Sequence, residues 1–194
     1  MGFRTVLLGR REPAKPDLNR LFGLAPAALP LEAATGLTPT GVGAVCFRGV
    51  EGGAFGAFAR TQRELERLLG LGRPGAVATL EYDAYGFGWV VVRREPDDLD
   101  KLVIDLHVVN STLEEGGFGS YLVCSYMGFR GSGPYRLALV YAHLRGTFYP
   151  FSPKRTRRRR NEDLEARAEE ALVGELQLEP DRARWFPLWD APGL

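Results

Sequence analysis

The segment spanning residues 76–117 constrains the fold most, because two β-type runs joined by a short turn lead straight into a long amphipathic helix. Residues 76–83 and 88–94 are rich in Val, Tyr and Trp, which fit a pleated, half-buried surface. Asp83-Ala84-Tyr85-Gly86 between them supplies a residue that tolerates positive φ, so the pair reads as a hairpin. Pro96 is expected in the first helical turn, where it needs no N–H partner, with Asp97 and Asp98 beside it at the positive end of the helix dipole. Leu99, Leu102, Val103, Leu106, Val109 and Leu113 then recur at helical spacing and predict a buried stripe.

The flanking chain repeats the same order of elements. Residues 1–8 can form two helical turns, and Asp17 opens a second short helix through Leu24 with Leu18, Leu21 and Phe22 as its apolar side. Pro26 and Pro30 are expected to hold the next residues extended. A strand is expected at 41–50, a flexible joint at Gly52-Gly53-Ala54-Phe55-Gly56, and a helix carrying Phe58, Leu65, Leu68 and Leu69 that ends at Gly70. Beyond Gly116-Gly117 a second hairpin is expected, with arms at 120–129 and 135–148, followed by a helix at 162–172. Hairpin then helix occurs twice. The expected fold is therefore a single α+β domain, an antiparallel-rich sheet built of hairpins with helices packed on one face. Its expected parts are a helical arm at 1–25, the α+β domain at 26–175 and a tail at 176–194. Trp185, Phe186, Leu188 and Trp189 make that tail too apolar to stay solvated, so it is expected to pack on the domain or on a partner.

Composition narrows the class. A chain of 194 residues should bury about 70% of its unfolded surface, enough for a core without disulfide or metal. No run approaches the roughly 20 apolar residues of a membrane span, and the N-terminal apolar run is too short for a signal peptide, so a cytoplasmic protein is expected. Cys46 and Cys124 sit in apolar, strand-like segments and are expected as buried, reduced thiols. The net charge of +1 conceals an asymmetry: six cations crowd into Lys154, Arg155, Arg157, Arg158, Arg159 and Arg160, leaving the remainder acidic.

Candidate chemistry is sparse. His107 flanks the stripe of the central helix and Asn110 lies within it, so both are structural polar candidates, with a ligand-binding pocket near them as the alternative. His143, the other histidine, has no ligand-type neighbour at short spacing, and no metal, cofactor or catalytic residue is predicted. The glycine clusters lack the Lys and Ser/Thr of a phosphate loop, and the serines lack a nucleophile elbow. The arginine-rich run has three readings: a loop neutralised by Glu162, Asp163 and Glu165, a docking site for an acidic protein or anionic membrane, and nucleic-acid binding. The acidic remainder and the absence of a nucleic-acid module weigh against the last.

Several short motifs occur in a characteristic order. They are the opening MGF and LLGR, Ala33-Ala34-Thr35-Gly36-Leu37-Thr38-Pro39-Thr40-Gly41, Tyr85-Gly86 with Trp89, and Asp105-Leu106-His107 through Val109-Asn110-Ser111. Gly146-Thr147-Phe148-Tyr149-Pro150-Phe151, Arg184-Trp185-Phe186-Pro187 with Trp189, and Ala191-Pro192-Gly193-Leu194 complete the set. End to end, the chain resembles the bacterial family of PspA-associated proteins called PspAB, linked to the phage-shock membrane-stress system. The resemblance implies a non-enzymatic accessory protein whose partner is PspA, a helical protein that supports stressed membranes, at the cytoplasmic side of the inner membrane. The family supplies no catalytic residues to carry over, and the six cations at 154–160 are the candidate partner contacts.

Overall fold

The computed structural model describes residues 17–49, 56–70, 77–154 and 158–194. The expected helix at 1–8, most of the Gly52–Gly56 joint, and Arg155 and Arg157 lie outside the described residues. A six-stranded antiparallel sheet organises the rest, formed by β1 (Thr38–Arg48), β2 (Ala78–Tyr82), β3 (Phe87–Arg93), β4 (Leu122–Arg130), β5 (Arg136–Ala142) and β6 (Thr147–Phe151). The spatial order is β2-β3-β1-β4-β5-β6, so β1 inserts between two hairpins and joins them into one sheet. Four α-helices, α1 (Ala28–Thr35), α2 (Ala57–Leu69), α3 (Leu99–Glu115) and α4 (Glu162–Leu172), bury their apolar residues on one face of it. The α+β architecture with helices on a single face is the one the hairpin–helix order predicts.

Period-two alternation sorts each strand between two cores. Val45, Phe47, Val90, Val92, Met127, Phe129, Leu137 and Leu139 point to the helices. Ala44, Cys46, Trp89, Val91, Cys124, Tyr126, Ala138, Val140, Tyr149 and Phe151 point the other way, where Trp185, Leu188 and Ala191 of the C-terminal segment cover them. Val90-Val91-Val92 are all fully buried because both faces of β3 are covered. Tyr126 and Tyr149 donate their hydroxyls to the Pro192 and Phe186 carbonyls, which fastens the tail to the sheet.

The long helix α3 is seated by its stripe. Leu102, Val103, Leu106, Val109 and Leu113 are all buried, and Gly43 of β1 lets the helix approach, since a Cβ there would meet Leu106 Cδ1 at 3.1 Å. Asp98 precedes its first residue and Arg94 clamps Asp105 at 2.6 Å. Pro96 lies in a turn before the helix, not in its first turn as the sequence predicts, because the chain must first leave β3 and reverse.

Two further differences have physical causes. Residues 28–35 are helical despite Pro30, which stands third in α1, where its missing N–H has no intrahelical acceptor in any case. The expected single arm at 135–148 is two strands, because Gly146, at φ +63°, closes a tight turn over residues 143–146.

Candidate binding surface between the sheet and the C-terminal tail

Helix-side polar residues are engaged in packing. Asn110 is fully buried, and its Nδ2 donates to the Leu106 carbonyl at 2.7 Å and to Ser125 Oγ at 2.8 Å, tying α3 to β4. The His107 ring stacks on Phe22 at 5.0 Å and its Nδ1 lies 3.3 Å from Ser111 Oγ, which pins the 3-10 turn at Leu18–Gly23 against α3. His143 is buried 3.4 Å from Glu114, and burial draws its pKa down to about 4, so at neutral pH the ring is uncharged. The Glu114 carboxylate favours the imidazolium, but that side chain is 27% exposed and screened whereas the ring is 2% exposed, so desolvation wins.

The arginine-rich run divides into inward and outward groups. A backbone bond from Lys154 N to Arg159 O at 2.8 Å and a bridge between Pro153 and Arg160 fold the run back on itself. Arg160 turns in, pairing with Glu165 at 2.9 Å and lying over the Phe151 and Trp185 rings at 5.0 and 4.9 Å. Glu165 also accepts from Ser152 N at 2.8 Å, and although burial pushes its carboxyl up, these two donors oppose the shift. Arg158 turns out, donating to the Tyr85 hydroxyl and to Asp190 Oδ2 at 3.1 Å. Lys154 and Arg159 are exposed.

Arg158 stands at the mouth of a cavity of about 230 Å³ between the β2–β3 turn and the tail. Asp83 shapes this turn: its Oδ1 accepts from Tyr85 N at 2.8 Å and Phe87 N at 3.0 Å, and its Oδ2 from Trp89 Nε1 at 2.9 Å. Trp89, Leu188 and Ala191 form the floor, Phe87 and Phe186 meet edge-on at 5.3 Å to form a wall, and Tyr85 and Asp190 complete the rim. The lining is aromatic and apolar with a charged edge, the composition of many binding pockets. The sequence marks Arg158 and the tail aromatics separately; their convergence with Asp83 and Phe87, about 70 to 100 residues away along the chain, is a product of the tertiary fold. The tight turn, the charge run and the apolar tail are its local signals in the sequence.

No group of metal ligands forms among the described residues. Cys46 and Cys124 face each other across β1 and β4, both buried and free, and burial and the neighbouring thiol push the Cys46 thiol up, away from the nucleophilic thiolate. No described helix is long and apolar enough to cross a membrane.

The family model for PspAB, described as PspA associated protein B, matches residues 1–193. The chain belongs to this family. The match spans nearly the whole chain, the hairpin–helix core and the tail included, and bears out the resemblance carried by the ordered motifs. No curated protein and no solved structure matches the chain. The family's description names an association with PspA and no reaction.

Proposed function

We propose that this PspAB chain is a non-enzymatic accessory protein that works with PspA in the bacterial envelope stress response, in the cytoplasm and at the inner face of the membrane, by protein–protein binding. The observation that carries this reading is the match of the family model over residues 1–193. The contact we assign is the aromatic cavity beside Arg158, with exposed Lys154 and Arg159 as further cations; Arg155 and Arg157 stay candidates on the sequence alone. Exposed Tyr85 beside Arg158 supplies a residue type that dominates binding hot spots, and the cations suit an acidic partner surface. Arg160 is assigned a structural role, since its guanidinium is held by Glu165.

Titration calorimetry of purified PspA into this chain tests the reading. Affinity should fall as salt rises from about 0.1 M to about 1 M, where the Debye length shrinks from about 10 Å to about 3 Å. The Arg158→Ala/Arg159→Ala variant should bind more weakly and lose most of that salt dependence, with its melting curve unchanged. Absence of binding by the wild-type chain at low salt would overturn the function. Equal binding by the variant would overturn the site.

A further inference from the structure

Across the Phe87–Phe186 pair lies a second cleft, of about 350 Å³, that the reading above does not use. Three guanidinium groups stand around it, those of Arg48, Arg145 and Arg184, and among the described residues no acid lines it. Leu122 and Tyr149, both buried, give it an apolar floor, and the Tyr149 hydroxyl is already spent on the Phe186 carbonyl at 2.9 Å. The cleft therefore offers greasy surface below and positive charge at the rim.

The acids nearest these arginines do not cancel them. Glu179, buried behind the rim, stands 3.7 Å from Arg145 and 3.8 Å from Arg184, and it is occupied by Thr147 Oγ1 at 3.1 Å and Asp181 N at 3.2 Å. Asp181 pairs with Arg184 at 2.9 Å. Arg48 donates instead to the Ser120 carbonyl at 2.5 Å and lies over the Tyr121 ring, so it adds a cation without a carboxylate on that side. Two acids thus face three guanidinium groups, whose planar forks match carboxylate and phosphate oxygens.

We propose that this cleft binds a single-chain anionic amphiphile, with Arg48, Arg145 and Arg184 holding its carboxylate or phosphate head and Leu122, Tyr149 and Phe186 receiving its apolar chain. The volume falls within the range of about 300–1,000 Å³ typical of small-ligand sites, and the buried Leu122 and Tyr149 give one chain apolar surface to lie on.

Calorimetry with decyl phosphate and decanoate, both below their micelle concentrations, tests this, with decyl maltoside as the uncharged control. Both anions should bind at least about tenfold more tightly than the maltoside. The Arg48→Gln/Arg145→Gln variant should bring the anions down to the level of the control. Ala142→Leu, which narrows the cleft without touching a charge, should weaken all three. Equal affinity for decyl phosphate and decyl maltoside would overturn the proposal, as would full binding by the glutamine variant. Binding seen only with vesicles of phosphatidylglycerol in phosphatidylcholine would also overturn it, because the arginines would then serve a membrane surface and not an occupied cleft.

Discussion

Arg160 and Arg158 stand two positions apart and do different work. Arg160 neutralises Glu165, whose side chain is 1% exposed, so Arg160→Ala leaves a buried carboxylate unpaired and should cost roughly 3–5 kcal/mol in urea unfolding. Arg159→Ala, at an exposed side chain, should change stability by no more than about 0.5 kcal/mol. Replacing the pair together, Arg160→Met with Glu165→Leu, should recover much of the loss, because the desolvation problem disappears with both charges. His143 carries the clearest pH signature. Its pKa is depressed from about 6.5 in the unfolded chain to about 4 in the fold, so its contribution is present above about pH 6.5 and is lost as pH falls towards 4. Unfolding free energy should drop by an amount on the order of 3 kcal/mol over that window, and His143→Leu should flatten the slope. A slope unchanged in the variant would assign the acid sensitivity elsewhere.

Each layer over the sheet makes its own claim at the scale of elements. The helix layer rests on the α3 stripe, and Leu106→Ala, at a fully buried position against β1, should cost about 2–5 kcal/mol; a loss below about 1 kcal/mol would mean that this face is not core. The tail layer covers Cys46 and Cys124, so a thiol reagent should label neither in the native protein and both after unfolding. Rapid native labelling would show that the tail does not close over the sheet. These elements differ in how legible they are. The β2–β3 hairpin and α4 carry their own local signals, Gly86 at φ +83° in one and the Asn161 cap with Glu162, Asp163 and Glu165 in the first turn of the other. The helix at Ala28–Thr35 does not, because a proline in the first turn looks like a breaker unless its position relative to the helix start is known. The turn at 143–146 is hidden in the same way, since His143, Arg145 and Gly146 are spaced through a β-type run and only Gly146 is a turn residue. At the candidate site, the charge run and the aromatic tail are visible as composition, but the split between Arg158 and Arg160 depends on where Glu165, Trp185 and Asp190 fall in three dimensions.

For the molecule as a whole, the sheet separates two kinds of surface. Helices close one side into the larger core, with Asn110, His107 and His143 spent on holding it together. The tail closes the other side incompletely and leaves both arginine-edged cavities between itself and the strands. A net charge of only +1 with six cations in one short run gives a partner with an acidic face a strong orientational cue on that side. We place the proposed PspA contact there, and hydrogen exchange of this chain with and without PspA tests the placement most directly. Slowed exchange is predicted in residues 83–87, 158–160 and 186–191, around the cavity beside Arg158, with α2 and α3 unchanged. Protection confined to α2 and α3, with the tail exchanging as in the free protein, would contradict it.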